Sequence, residues 1–298
     1  MRNRPAVTVG MPFRNPGPFL EYAVRSLFAQ TFDDWELVLI DDGSTDESVK
    51  LAAGIDDARV RLIRDGRALG LVPRLNQVID LSRGRYIARM DADDMIHPHR
   101  LSAQLEFLEK NTGTDVVDSG AVILDAERNP VGVRGLERPS IPDVTDALKW
   151  GVVIHASVLA RRDWYIRHRY DPGYPRAEDR ELFIRALRST AIAHIPEPLY
   201  FMLYARSVRR REFVQSYRSE RKVLFRYGPE LVGWPTTARL WLRSHAKSVA
   251  LDVLLHLRGD SVITRRAFQP ISPALEEEVA AIISRIERQP VPGWQQRY

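Results

Sequence analysis

The sequence predicts an α/β protein, a mainly parallel sheet flanked by helices, with a helical C-terminal extension. Three observations carry this. Apolar, β-branched runs alternate with amphipathic segments over the first hundred residues. The runs are continuously apolar, as expected of strands covered on both faces. Two of them end in acid-rich turns, Asp41–Asp46 and Asp91–Asp94, where the ligand loops of open parallel sheets lie.

The elements follow in order. AVTVGMPF (6–13) reads as a buried strand that stops at Pro12. PFLEYAVRSLFAQ (18–30) spaces Leu20, Ala23, Val24, Leu27 and Phe28 as one helical face, with Pro18 suited to its first turn. WELVLIDD (35–42) is a second strand, and Ser44 or Thr45 can cap the helix that follows. VRLIRD (60–65) is a strand, LVPRLNQVIDLS (71–82) a helix and RYIARM (85–90) a fourth strand. Further on come a helix at 98–111, a strand at 115–124 and a turn at ERNPVG before another strand. A short helix spans 141–151, and a strand runs into a helix over 152–165. Glu178 and Asp179 open a helix after a Pro/Gly-rich loop, and 191–203 is a last strand. The remainder has helical patterns near 211–227, 236–258 and 274–287.

The 298 residues suffice for one large α/β domain with an appendage, or for two domains. The chain has no cysteine, which excludes disulfides, zinc–thiolate sites and thiol nucleophiles and fits a reducing compartment. The apolar run at the N-terminus is too short for a secretion signal, and no stretch reaches the roughly 18 apolar residues of a membrane span. Charge is uneven. Residues 201–298 carry 17 Lys and Arg against 9 Asp and Glu, a net +8, so residues 1–200 carry −3 of the chain's +5.

RMDADDM (89–95) sets Asp91, Asp93 and Asp94 within four positions. Like charges so close raise one another's pKa unless something positive neutralises them. A Mg²⁺ or Mn²⁺ ion held by Asp91 and Asp93 would do so and would in turn neutralise a diphosphate. The plain alternative is pairing with Arg89 or Arg100. Asp42 at the second strand's end can accept from ribose hydroxyls or a base N–H, whereas Asp46 suits a helix cap. Arg64, Arg67 and Arg74 can meet a diphosphate. No GxGxxG or Walker A pattern follows the first strand, so dinucleotide and P-loop readings are weak.

VTVGMPFRN, then LEYAVRSLFAQTFDDWELVLIDDGSTDES, then RLNQVIDLSRGRYIARMDADDMIHPHRLSAQLEFLEKN resemble family 2 glycosyltransferases of the GT-A fold, Rossmann-like in architecture. The resemblance continues through HASVLARRDWY, AEDRELFIRAL and HIPEPLYFM and covers roughly residues 5–208. It implies a catalytic domain at 1–208, with a nucleotide-sugar half at about 1–97 and an acceptor half at about 98–208. It also implies an inverting, metal-dependent transfer from a nucleotide-sugar, usually a UDP-sugar, to a saccharide or lipid-linked glycan in cell-surface polysaccharide synthesis. Donor-binding positions carried over are Pro12, Phe13, Arg14, Asp42, Arg67, Asn76, Asp91, Ala92 and Asp93. Asp91 and Asp93 would be the ligands of Mn²⁺ or Mg²⁺. Asp179 would be the base that takes the acceptor's proton, its carboxylate favoured by a helix N-terminus.

The sequence departs from the family at two places. Many relatives carry a His soon after the last strand, where FMLYARSV puts Tyr204, a poor metal ligand at neutral pH. Arg206 or Arg209 can bind phosphate there instead. Arg14 stands where an aromatic residue is common, and its planar guanidinium can still stack on a base. His155 reads as structural or acceptor-side rather than as a metal ligand.

Residues 209–298 lie outside the resemblance, a helical basic extension. TTARLWLRSHAKSVALDVLLHLRG intersperses Arg239, Arg243, Lys247 and Arg258 among apolar residues, a pattern suited to an anionic membrane surface. Packing on the catalytic domain, or a homo-oligomer, is the alternative. No nucleic-acid-binding module accompanies these charges. The protein expected is cytoplasmic or peripheral at the inner face of the membrane. Two other functions fit less well. A non-catalytic sugar-nucleotide-binding assembly partner has only Tyr204 in its favour. A sugar nucleotidyltransferase would need a Gly-rich basic loop that GMPFRNPG does not provide.

Overall fold

The computed structural model describes residues 4–137, 143–204, 210–258 and 268–295. The first half alternates as its periodicity dictates: β1 (Val7–Phe13), α1 (Phe19–Phe28), β2 (Trp35–Asp41), α2 (Ser48–Ala53), β3 (Val60–Arg64), α3 (Leu71–Leu81) and β4 (Tyr86–Arg89). There follow β5 (Met95–Ile96), α4 (Arg100–Lys110), β6 (Val116–Leu124), β7 (Pro130–Arg134) and α5 (Val144–Trp150). A 3₁₀ turn at His155–Ser157 leads to β8 (Leu159–Arg161), α6 (Arg162–Arg167), α7 (Glu178–Ala186) and β9 (Ile192–Leu203). Last come α8 (Arg210–Arg258) and α9 (Pro273–Glu287).

One sheet runs through the molecule in the order β3-β2-β1-β4-β8-β6-β9-β5, with β7 beside β6. β3, β2, β1 and β4 are mutually parallel, as are β6 and β9. β8 is antiparallel to both β4 and β6 and joins the two halves. Leu37 and Leu39 pack in the layer of α1 and α4, and Val38 and Ile40 in the layer of α3, which is why the strand is apolar at every position.

Three details differ from the sequence expectation. β1 continues past Pro12 to Phe13 because its pairing with β4 ends at Gly10, so Pro12 leaves no donor missing on that side. The segment after Val152 is drawn into a turn instead of a strand. Asp118 accepts from the Ile154 N–H at 2.6 Å, and Ser157 Oγ from the Ser119 N–H at 3.0 Å. Neither Ser44 nor Thr45 caps α2; both bond to Asn15 instead.

The C-terminal chain packs back onto the sheet layers. α8 breaks at Gly233, where φ is 77°, and folds into a hairpin of two arms. A Cβ at Gly228 would lie 2.6 Å from Thr237 Oγ1, so glycine sets the closeness of the arms. Val223 and Leu224 of the first arm are buried in the core layer of α7. Val279, Ile283 and Ile286 of α9 are buried with Val122, Val133 and Phe201. Beyond α9, Val291 joins the layer of α1, and the Trp294 indole donates to Leu51 O at 2.9 Å.

Candidate active site

Three loops at the C-terminal ends of β1, β2 and β3 are tied into one rim. The Asp42 N–H donates to Phe13 O at 2.8 Å. Asn15, at a positive φ of 51°, donates its N–H to Ser44 Oγ and accepts from the Thr45 N–H at 2.7 Å. Asp46 accepts from the Gly17 N–H at 2.9 Å and from the Ser48 N–H, its expected place at the start of α2. Asp42 is buried and accepts from the N–H groups of Leu69 and Gly70 and from Arg74 Nε at 2.8 Å. Arg74, fully buried, spends its remaining nitrogens on Asp65, Gln77 and the Arg67 carbonyl. It therefore braces the 65–70 loop and is not free for a diphosphate. Arg64 faces Asp41 at 3.8 Å, and Arg67 is exposed on the braced loop.

The acid turn after β4 brings Asp91, Asp93 and Asp94 together, with one carboxylate oxygen of each within 4.8 Å of the others. Arg89 clamps Asp91 with both terminal nitrogens, at 2.7 and 2.5 Å. Asp94 is buried and accepts from the Leu203 N–H at 2.7 Å. The Tyr200 hydroxyl accepts from the Asp91 N–H at 3.1 Å. Burial, then the charges of Asp93 and Asp91, hold the Asp94 carboxyl well above its usual range. Asp93 is an exposed residue, yet desolvation of its carboxyl and the charge of Asp91 push it up to about 6. One clamping guanidinium does not balance three carboxylates. The excess negative charge and the hard oxygen donors fit a Mg²⁺- or Mn²⁺-sized ion.

Beneath this turn lies a buried polar layer. Arg100 donates to the carbonyls of Arg89 and Val158, at 2.9 and 3.3 Å, and stands 5.0 Å from the centre of the Tyr200 ring. It supports the turn from below and does not pair with Asp91 or Asp93. His155 Nε2 lies 2.8 Å from the Tyr170 hydroxyl. Burial and then Arg89 hold its pKa well below the usual value, so it is neutral.

α7 brings Glu178 and Asp179 to this layer. Glu178 is buried, and desolvation, then Asp179, push its carboxyl up to about 6. The charges of Arg89, which lowers it, and of Asp91, which raises it, also act on this carboxyl. Asp179 is half-buried beside it. The first arm of α8 grips the approach to this pair. Ser219 donates to Pro175 O and Lys222 to Gly173 O, both at 2.8 Å. Arg180 pairs with Glu220 at 2.9 Å, and the Tyr227 hydroxyl meets Glu181 at 2.5 Å.

The expected site residues thus fall into two groups. Pro12 and Phe13 end β1 on the tied rim and Arg14 follows, Phe13 buried and Arg14 exposed, and Ala92 is buried between Asp91 and Asp93. Asp42 and Asn76 have structural partners. The Asn76 amide donates to Tyr170 O and accepts from the Tyr170 N–H, at 2.9 and 3.1 Å, and so ties α3 to the loop before α7. Tyr204 packs its ring edge-on against Phe268, centroids 5.0 Å apart, and burial raises its pKa. Arg206 and Arg209 lie outside the described residues. Sequence reasoning did not single out Tyr200 or the Leu203 N–H, which reach the acid turn from β9; no short-range pattern links positions 109 residues apart.

The model of the family described as glycosyl transferase family 2 matches residues 8–169. EpsE of Bacillus subtilis is 33% identical over 195 residues, covering 62% of this chain and 68% of EpsE. An uncharacterized glycosyltransferase of Haemophilus influenzae is 28% identical over 211 residues, covering 67% of this chain and 65% of its own. S. aureus TarS 1–349 in complex with UDP-GlcNAc superposes with a TM-score of 0.60 at 14% identity, over 94% of this chain and 80% of that one. The Pyrobaculum calidifontis mannosyltransferase PcManGT, in complex with GDP-Man and Mn²⁺, superposes with a TM-score of 0.56 at 16% identity, over 95% and 75%. The mixed sheet with its flanking helices is the GT-A fold. A family match across more than half of the sequence, centred on the tied rim and the acid turn, shows that this chain belongs to glycosyltransferase family 2.

Proposed function

We propose that this chain transfers a sugar from a UDP-sugar to a hydroxyl of a saccharide or lipid-linked glycan, with inversion at the anomeric carbon, in cell-surface polysaccharide synthesis. The observation that carries this is the under-neutralised cluster of Asp91, Asp93 and Asp94, whose Asp91 acts electrostatically on Glu178, the neighbour of Asp179. Asp91 and Asp93 would hold Mn²⁺ or Mg²⁺, with Asp94 behind them. Such an ion supplies positive charge to the leaving diphosphate. Arg89 fixes the orientation of Asp91, and Tyr200 holds the backbone of the turn. Pro12, Phe13 and Arg14 would line the nucleotide, and Arg67 would reach its phosphates from the braced loop. Asp179 would take the acceptor's proton as the hydroxyl attacks opposite the diphosphate. The complexes of TarS with UDP-GlcNAc and of PcManGT with GDP-Man and Mn²⁺ support a nucleotide-sugar and a divalent ion here.

The test is thermal unfolding of the full chain with UDP, UDP-sugars and GDP-sugars, each with Mn²⁺, Mg²⁺ or a chelator. A ligand at a hundredfold its Kd stabilises the folded state by about 2.7 kcal/mol. The expected outcome is stabilisation by UDP or a UDP-sugar that disappears with the chelator. Silence with every nucleotide at saturation would overturn the reading.

A further inference from the structure

The second arm of α8, after Gly233, presents an apolar face that no described residue covers. Trp234 is 60% exposed, Leu242 61%, Val249 and Val253 50% each, and Trp241 37%. At helical spacing these five fall within about a third of the circumference. Phe225 of the first arm, 62% exposed, extends the face across the bend and meets the Trp234 ring edge-on at 5.7 Å. The opposite side of the arm, with Thr237, Leu240 and Ser244, is buried. Along one edge of the apolar face run the exposed cations Arg239, Arg243 and Lys247, and toward its other edge lie His245 and Asp252. Arg243 and Lys247 stand over the exposed Trp150 ring, 4.6 and 5.5 Å from its centre. The arm has a single carboxylate, Asp252.

A contiguous face of this kind marks a contact with something else. Its charge decides which. A two-fold contact with a second copy would set the same cations face to face, where they repel. An anionic surface would neutralise them. Indoles, aliphatic side chains and flanking cations suit the boundary between headgroups and acyl chains. No helix among the described residues is long and apolar enough to cross a membrane, so contact would be from the surface.

We infer that the second arm of α8 docks on an anionic lipid surface, its apolar face entering the acyl boundary and Arg239, Arg243 and Lys247 meeting headgroup phosphates. The inference goes beyond the transferase reading and can stand without it. Because the first arm holds the loop before Glu178, docking would also bring that edge of the candidate site to the lipid surface.

The test is co-sedimentation of the full chain with phosphatidylcholine vesicles, with and without about a third phosphatidylglycerol. The chain is expected to bind the anionic vesicles, and less so as salt is raised. The double variant W241S/L242S should bind at least about tenfold more weakly, because two buried apolar side chains are lost. R239E/K247E should lose the preference for anionic lipid. Both variants should keep the wild-type unfolding midpoint and its response to nucleotide. Absence of binding to either vesicle type would overturn the inference. So would a dimer in sedimentation equilibrium that W241S/L242S dissociates, since a second copy would then cover the face. Vesicle binding without any nucleotide response would sink the transferase reading and leave this one standing.

Discussion

The Arg89 guanidinium holds both carboxylate oxygens of Asp91, two residues along the same chain. Arg89 is buried while Asp91 is a third exposed, so the pair reaches from the core to the rim of the candidate site. Replacing Arg89 with Met keeps most of the side-chain volume and removes the charge that offsets the cluster. The variant should be less stable by about 2 kcal/mol in chelator, the cost of charged hydrogen bonds partly screened by solvent. Mn²⁺ should then stabilise the variant more than the wild type, because the carboxylates have lost their protein-borne cation. Thermal unfolding with and without Mn²⁺ checks this, and an equal response in both proteins would count against a cation site at the cluster.

Glu178 links stability to pH. Its carboxyl is pushed up from 4.5 to about 6, first by burial and then by Asp179. A raised acid favours the fold while it is protonated. The stability it contributes is present in full below pH ~4.5 and is lost as pH rises through about 6. The shift corresponds to about 2 kcal/mol. Glu178→Gln should therefore unfold at a higher temperature than the wild type at pH 7.5, and the gap should close toward pH 4. A gap that is the same at both pH values would show that Glu178 is not held in a desolvating site.

Asp42 separates a structural role from a donor-binding one. Its carboxylate satisfies Arg74, which is fully buried, and two backbone N–H groups of the 65–70 loop. Asp42→Ala leaves Arg74 Nε and the two N–H groups without an acceptor while Asp65 keeps the guanidinium paired, and buried donors left unsatisfied in this way cost about 1–3 kcal/mol. Urea unfolding should show that loss, and nucleotide affinity should fall with it. Unchanged stability with weakened nucleotide binding would mean that the carboxylate acts on the ligand and that the loop holds without it.

These residues also show what the sequence made legible. Strands and helices of the first half follow from apolar periodicity, because each strand is covered on both faces and each helix on one. The acid turn was visible because it is contiguous. The division of labour inside it was not. Whether Arg89 or Arg100 pairs with Asp91 depends on which side of β4 each guanidinium reaches, and the sequence left both open. Asp42 and Asn76 have the composition of ligand contacts, but their partners at 69–74 and at 170 are set by how loops stack on the rim. Tyr200 reaches the turn only because β9 pairs with β5 immediately after it.

Asp179 can be tested apart from its neighbour. It is half-buried at the start of α7, beside Glu178. Asp179→Asn retains size and most hydrogen bonding but cannot accept a proton at neutral pH. Turnover should drop by about 10²–10⁴, the usual contribution of a positioned base. Nucleotide-induced stabilisation should persist. Turnover within a few-fold of wild type would remove Asp179 from the proposed chemistry and direct attention to Glu178.

The extension beyond residue 208 is the place where sequence and structure invite different experiments. The resemblance ends there, which suggests an independent catalytic domain. The packing argues otherwise. Val223 and Leu224 complete the layer against α7; Val279, Ile283 and Ile286 cover the sheet near β7; Val291 joins the layer of α1. Each such side chain contributes about 1.5–3 kcal/mol when fully buried. Six together, at about 9–18 kcal/mol, are comparable to the whole 5–15 kcal/mol by which a typical domain is stable. A chain cut after Val208 is therefore expected to lose cooperative unfolding and to expose apolar surface, seen as broadened thermal transitions and binding of a hydrophobic dye. A truncated chain that unfolds sharply and still responds to nucleotide would show that the first 208 residues form a self-sufficient unit and that the C-terminal helices only decorate it.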